Sequence, residues 1–194
     1  MKVMTISTFG GPEVFFAQNM PEPIAAKGQV VIEVKASSVN PIDLKIRAGM
    51  VPLATQEFPA VLHGDVSGIV SEIGPGVDHL KVGDEVWGCA GGFLGLPSGA
   101  LAEKMLTDAQ LITLKPKNLS FAEAAALPLV SLTSWFALAD RAQVTAGQKV
   151  LIHAGAGGVG HPLVHSYIEA SRRVEAAAAR HGGEKHAVST RQSS

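Results

Sequence analysis

Lys149-Val150-Leu151-Ile152-His153-Ala154-Gly155-Ala156-Gly157-Gly158-Val159-Gly160 is the stretch whose reading decides the fold. The short apolar run Val150-Leu151-Ile152 leads directly into Gly155 to Gly160, which fits G-x-G-x-x-G. Alone that pattern is weak; a strand in front of it and a helix behind it give it meaning. Gly155 permits a tight turn, Gly157 lets backbone amides approach a diphosphate, and Gly160 lets the following helix pack closely on the strand. The helix start then offers N–H groups and a positive dipole end to an anion. Ala154, Gly155, Ala156, Gly157, Gly158, Val159 and Gly160 are therefore the candidate dinucleotide-binding residues. A merely flexible glycine loop is the competing reading of the same letters.

Working outward, the upstream residues read first as β and then as helix. Val3–Ile6, Gln29–Ala36, His63–Val77, Val82–Gly88, Ala100–Met105 and Leu111–Pro116 carry β-branched or alternating patterns punctuated by Gly, Pro and Ser. Strands at this spacing predict a barrel or sandwich. Pro41–Arg47 predicts one helical turn with Pro in its first position. At Ser120 the character changes: Ser120-Phe121-Ala122-Glu123 is a capping box that opens an Ala-rich helix, which Pro128 interrupts. Leu129–Asp140 predicts a second helix, apolar all round and hence expected to be buried.

The wording of several segments resembles the medium-chain dehydrogenase/reductase superfamily, in its zinc-independent NADPH:quinone oxidoreductase branch. The matching phrases are S-S-V-N-P-I-D (37–43), G-D-V-S-G-I-V-S-E-I-G-P-G-V (64–77), V-G-D-E-V-W-G (82–88), A-A-A-L-P-L-V-S-L-T-S-W (124–135) and V-L-I-H-A-G-A-G-G-V-G (150–160). The resemblance implies a GroES-like β-barrel substrate domain over residues 1–119. A partial Rossmann cofactor domain would follow over 120–180, then a disordered tail over 181–194. It also implies hydride transfer from NADPH to a small-molecule quinone or enone. Zinc alcohol dehydrogenases of the superfamily carry a Cys where this chain has Asn40, and Gly-His-Glu where it has His63-Gly64-Asp65. Aligning Asp65 with their Glu leaves Gly64 at the imidazole position. A catalytic zinc needs about three protein ligands, so none is expected here.

Without a Lewis acid, the protein's task is to hold the nicotinamide against the acceptor and exclude water. Asn40 is the candidate beside the reacting centre, because its amide can donate to an oxygen gaining negative charge; turn chemistry in Val-Asn-Pro competes with that role. Asp43 is the second candidate. It either orients a neighbour or pairs at the surface with Lys45 or Arg47. Thr133 resembles the family position beside the nicotinamide, although a helical Thr can instead bond its own i−4 carbonyl. Asp65 reads as a structural partner, and His63 as a hydrogen-bonded histidine at a strand entry.

Composition narrows the classes. A net charge of −1 argues against nucleic acid and anionic membranes, and 46% hydrophobic content suits a globular core. Cys89 is the single cysteine, which excludes an intramolecular disulfide and a four-cysteine zinc lobe. No apolar segment of about 18 residues occurs, and the first residues lack the apolar core of a signal peptide; a cytoplasmic location is the expectation. Beyond Gly160 the resemblance stops. Thirty-four residues remain, about one βα unit, and Ser166–Arg180 is helix-prone and charged. The expectation is an incomplete cofactor domain from a truncated or frame-shifted reading frame, with impaired activity. His161 and His165 share a helix face at i, i+4 and could bind a metal, but with no intervening Glu and no third ligand the expectation is no metal site. Two rival functions stay open on the residues alone: a non-catalytic GroES-like remnant that self-associates as a homo-oligomer, and a zinc-type alcohol dehydrogenase.

Overall fold

The computed structural model describes residues 1–54, 56–93, 95–96, 98–145, 148–169, 174–179 and 185–189, with side chains described as far as His165. The chain divides into two compact units, Met1–Leu129 and Val130–Ser194.

In the first unit, strands β1 (Lys2–Ile6) and β2 (Phe15–Asn19) form an antiparallel hairpin pair. Strands β3 (Gln29–Ser37), β4 (Asp65–Ile73), β5 (Glu85–Cys89), β6 (Lys104–Asp108) and β7 (Ile112–Leu114) build one antiparallel sheet in the order β6-β3-β4-β5-β7. Register shifts between β3 and β4 at Val31/Ile32 and Val34/Ala36 bend the sheet, as bulges do. Isolated bridges from Val3 to Ala102 and from Ile6 to Ala60 tie the hairpin to the same unit. The alternation read from the sequence is the cause: Val30, Ile32, Val66, Val70, Val86, Met105 and Ile112 point inward and share one buried cluster. A second cluster places Ile6, Ala60 and Leu62 against Ile46 of helix α1 (Pro41–Arg47).

Three elements differ from the sequence expectation here. Strand β2 was not anticipated, because Phe-Phe-Ala-Gln-Asn lacks strict alternation; pairing with β1 makes it a strand. Strand β6 begins at Lys104, later than the expected Ala100, because residues 104–108 are the ones that pair with β3. Helix α2 (Phe121–Ala125) lies in the first unit, so the division falls at Leu129 rather than at residue 119. Its capping box forms as read, with Ser120 accepting from the Glu123 N–H at 3.3 Å and Glu123 accepting from the Ser120 N–H at 2.8 Å. Ala124 and Ala125 are buried, and the Phe121 carbonyl accepts the Ser67 hydroxyl of β4 at 2.6 Å. Lys115 anchors the approach to α2, pairing with Glu85 at 3.1 Å and donating to the Leu119 carbonyl at 2.5 Å.

The second unit contains the rest of helix α3 (Pro128–Trp135), a π-helical continuation over Phe136–Arg141, and strand β8 (Val150–His153). Helix α4 (Gly160–Glu169) follows, then strands β9 (Val174–Ala179) and β10 (Lys185–Ser189). Strand β9 runs parallel to β8 in the register Val150↔Val174, and β10 is antiparallel to β9. The chain therefore closes one β-α-β unit. Helix was expected through residue 180, yet Val174–Ala179 is strand: pairing with the backbone groups of β8 overrides the helix preference of Ala and Glu. Strand β10 lies within the stretch expected to be a disordered tail; residues 181–184 and 190–194 of that stretch lie outside the described residues. Ile152 centres the packing, against Leu138, Val144, Val150, Leu163 and Val164. The segment Leu129–Asp140 is not buried all round as its composition predicted: Leu132 and Trp135 of α3 and Phe136 just beyond it are exposed, and Ser134 marks the face that packs. Among the described residues no helix is long and apolar enough to cross a membrane.

Candidate functional site

The register of β3 against β4 assembles the polar centre of the first unit. Ser37 pairs with Val66, so residues just past the end of β3 lie beside the start of β4, where Asp65 sits fully buried. Asp65 is a hub. Its Oδ2 accepts the Ser38 hydroxyl at 2.9 Å and the Asn40 Nδ2 at 2.9 Å, while Oδ1 accepts the Leu129 N–H at 2.9 Å. The Asn40 side chain spends its other contact on Ser38 Oγ at 3.4 Å, long for a hydrogen bond. Since a carboxylate only accepts, the nitrogen of the Asn40 amide must be the atom facing Asp65.

Asp43 sits three residues on, in the first turn of α1. Pro41 opens that helix, and Asp43 Oδ2 accepts the Asn40 N–H at 2.7 Å. The carboxylate thus closes a capping box instead of pairing at the surface with Lys45 or Arg47, the alternative that the sequence left open. Asp43 is only 3% exposed, and its Oδ1 is buried without a hydrogen-bond partner. Burial pushes its carboxyl up from the ordinary 3.8 to about 6; the Asn40 N–H opposes this, the Asp65 charge adds to it, and the His63 backbone N–H opposes it.

His63 is buried in a left-handed conformation with φ of 72°, unusual for a residue with a side chain, and its Nδ1 lies 3.4 Å from Ser37 Oγ. Burial lowers its pKa, with the Asp65 charge acting the other way. Gly92 lies against it so closely that a Cβ there would come within 2.8 Å of the His63 nitrogen. Cys89 pairs with Asp65 across β4 and β5, and burial, helped by the Asp65 charge, pushes its thiol up to about 12. Such a thiol stays protonated and unreactive. Asp43, Arg47 and His63 share an open cleft of about 330 Å³ with Met4, Phe15, Val39, Leu44 and Leu101.

The second unit holds the other candidates. Strand β8 ends at His153, and Ala154 turns the chain with φ of 55°. The Gly157 N–H returns to the Ala154 carbonyl at 2.8 Å and closes the turn. Gly160 begins α4 so close to this turn that a Cβ would meet the Ala154 oxygen at 2.1 Å, which is why only glycine fits. Gly158 has room, its nearest neighbour being Val130 at 3.7 Å from the added Cβ. Ala156, Gly157 and Gly158 are exposed, Gly155 and Val159 half-buried. A turn of small, open residues ahead of a ten-residue helix fits a diphosphate held by backbone N–H groups. Thr133 is exposed on α3, and its neighbour Ser134 is buried, with its hydroxyl 2.7 Å from the Val130 carbonyl and 2.9 Å from that of Val159. Ser134, which sequence reading passed over, is thus the residue that fastens α3 to the glycine turn; its only signal was a polar side chain, like those of Ser131 and Thr133, inside an otherwise apolar helix.

Comparison with known proteins completes the picture. Residues 26–117 match the alcohol dehydrogenase GroES-like domain. The 2-methylene-furan-3-one reductase of Solanum lycopersicum is 40% identical over 168 residues, which are 84% of this chain and 43% of that protein. An alcohol dehydrogenase superfamily protein from Novosphingobium aromaticivorans superposes with a TM-score of 0.83 at 43% identity, covering 92% of this chain and 52% of that one. The chain belongs to the medium-chain dehydrogenase/reductase superfamily, in its quinone oxidoreductase branch. The Escherichia coli quinone oxidoreductase, solved in complex with NADPH, is likewise similar, with a TM-score of 0.77 at 30% identity over 91% of this chain and 52% of that one. This superfamily member spans about half the length of the proteins it matches.

Proposed function

We propose that this chain supplies the substrate-side barrel and the diphosphate turn of an NADPH-dependent oxidoreductase that passes hydride to a quinone or similar conjugated carbonyl. The observation that carries the reading is the turn at Ala154–Gly160, where strand, positive-φ residue, open glycines and helix follow in the order a dinucleotide needs. The activities for which the tomato reductase and the NADPH-bound bacterial enzyme are named support it. When bound, NADPH would supply the hydride; the side chains have only to bind, orient and keep water out. Residues 154–160 would hold the diphosphate, and Thr133 would lie toward the nicotinamide.

In the barrel, Asn40 is the donor for the acceptor's carbonyl oxygen. Asp65 fixes one N–H of the amide, and the long 3.4 Å contact to Ser38 is the one that a substrate oxygen exchanges. Asp43 is a positioning residue, holding the Asn40 backbone through its N–H. A quinone or enone suits such a site because it accepts hydride at carbon while charge collects on one oxygen, and a single well-held amide answers that charge.

Because the chain covers about half of its relatives, the isolated chain is expected to bind NADPH weakly, with Kd of roughly 0.1–1 mM, about −5.5 to −4 kcal/mol. Titration followed by nicotinamide fluorescence tests both parts. Saturable weak binding that Gly157→Val abolishes supports the proposal. No saturation at millimolar NADPH overturns the cofactor role of the turn, while binding near 1 µM overturns the impairment. The exposed Leu132, Trp135, Phe136 and Leu151 favour a second reading, a self-associating chain without catalysis. Light scattering after size exclusion separates them: a large assembly with no cofactor binding supports the second.

A further inference from the structure

Helix α4 carries a feature that neither hydride transfer nor diphosphate binding uses. His161 and His165 stand one turn apart, both exposed, with ring centroids 4.5 Å apart and planes at 62°. Side chains at i and i+4 share a helix face, so one ion can be reached by both imidazoles. Their direction is set by packing on the other side. Leu163 and Val164 lie against Ile152, which fixes the rotation of the helix about its axis and turns the two histidines to solvent. The start of the helix is held as well, by the His161 N–H bonded to the Gly157 carbonyl at 2.9 Å and the Leu163 N–H to the Val159 carbonyl at 3.3 Å. Pro162 falls in the first turn, where its missing N–H costs no hydrogen bond.

We propose that His161 and His165 form a bidentate site for a divalent transition-metal ion on the exposed face of α4. Two imidazoles select borderline ions, with Cu²⁺ ahead of Ni²⁺ and Zn²⁺, and leave Mg²⁺ and Ca²⁺ unbound, because those ions require oxygen ligands. Among the described residues no third histidine, cysteine or carboxylate joins the pair, so water completes the coordination. The affinity is moderate for two reasons: only two protein ligands are present, and the positive end of the helix dipole lies beside them. A simple edge-to-face contact between two rings is the alternative that the experiment must defeat.

The full chain is titrated with Zn²⁺ and with Ni²⁺ by calorimetry, and the histidine ring resonances are followed by NMR. Expected is one site per chain at which the His161 and His165 signals move together, with Mg²⁺ producing no change. His161→Gln and His165→Gln should each weaken binding by roughly tenfold or more, since the second ligand of a chelate acts at high effective concentration. The double variant should bind more weakly than either single one, since no imidazole then remains on that face. Unchanged affinity in both single variants, or metal-induced shifts confined to other histidines such as His181 and His186, overturns the site. The wild-type NMR titration decides the matter even where a variant fails to fold.

Discussion

Asp43 sets up a test of stability against pH. Its folded carboxyl lies near 6 against an ordinary 3.8, because burial at 3% exposure disfavours the charge and the nearby Asp65 adds repulsion. Below pH 3.8 the group is protonated in both folded and unfolded chains and contributes nothing. Between 3.8 and about 6 the folded chain retains a proton that the unfolded chain has lost. Stability therefore falls as pH rises through that window, and above it the folded state carries the whole cost. At 1.36 kcal/mol per tenfold, the full difference is about 3 kcal/mol, of which about 2 kcal/mol falls between pH 4.5 and 7.5. Asp43→Asn keeps an oxygen for the Asn40 N–H and removes the titration. Urea unfolding of both proteins across this range is the assay, with circular dichroism as the signal. The variant should gain on the wild type by roughly 2 kcal/mol as pH rises from 4.5 to 7.5, whatever the offset between them at the acid end. A difference between the two curves that stays constant with pH refutes the reasoning, and shows that Asp43 is charged in the folded chain at no cost.

Three further outcomes follow from the geometry. Gly160→Ala places a Cβ 2.1 Å from the Ala154 carbonyl and should dislodge the start of α4 and abolish NADPH binding, whereas Gly158→Ala, with 3.7 Å to spare, should leave the fold unchanged; circular dichroism and cofactor titration compare them. Asp65→Ala strips three donors of their acceptor in a fully buried place and should cost about 3–5 kcal/mol in urea unfolding, enough to leave the first unit unfolded at 37 °C. Ser134→Ala leaves the Val159 carbonyl without its 2.9 Å partner and should cost about 1 kcal/mol, read by faster hydrogen exchange at residues 157–163.

What the sequence made legible was local or repeated. Alternation in β3 and β4 marked the inward residues, the Ser120/Glu123 box opened α2, and the strand–glycine–helix order marked the turn after β8. What it hid depends on partners distant in the chain. Asp43 looked like a surface residue beside Lys45 and Arg47, since nothing within seven residues reveals that α1 packs Ile46 into a core with Ile6 and Leu62 and takes Asp43 inside with it. Asp65 looked structural, and is; that its donors come from residues 38, 40 and 129 follows only from the β3–β4 register and the path of α3. Strand β9 was hidden for the opposite reason, its alanines stating a helix preference that pairing with β8 overrides.

The polar cluster also separates roles that a motif runs together. Asp65 has both oxygens committed, so changing its partners costs stability before it can alter chemistry. Asp43 has one oxygen committed to the Asn40 backbone and one with no partner, and so couples the cluster to pH. Asn40 holds a contact weak enough to exchange, the 3.4 Å approach to Ser38. In the proposed reaction the residue that meets substrate is thus one with a long hydrogen bond to give up, and the two carboxylates hold it in place. Ser38→Ala distinguishes this arrangement from one in which Asn40 is purely structural. Removing the hydroxyl costs Asp65 a donor and frees the second Asn40 N–H, so stability should fall by about 1 kcal/mol while quinone affinity, measured by calorimetry, holds or rises. Asn40→Ala, by contrast, should lose both. If Ser38→Ala and Asn40→Ala weaken quinone binding in proportion to their loss of stability, Asn40 supports the fold only and the donor to substrate lies elsewhere.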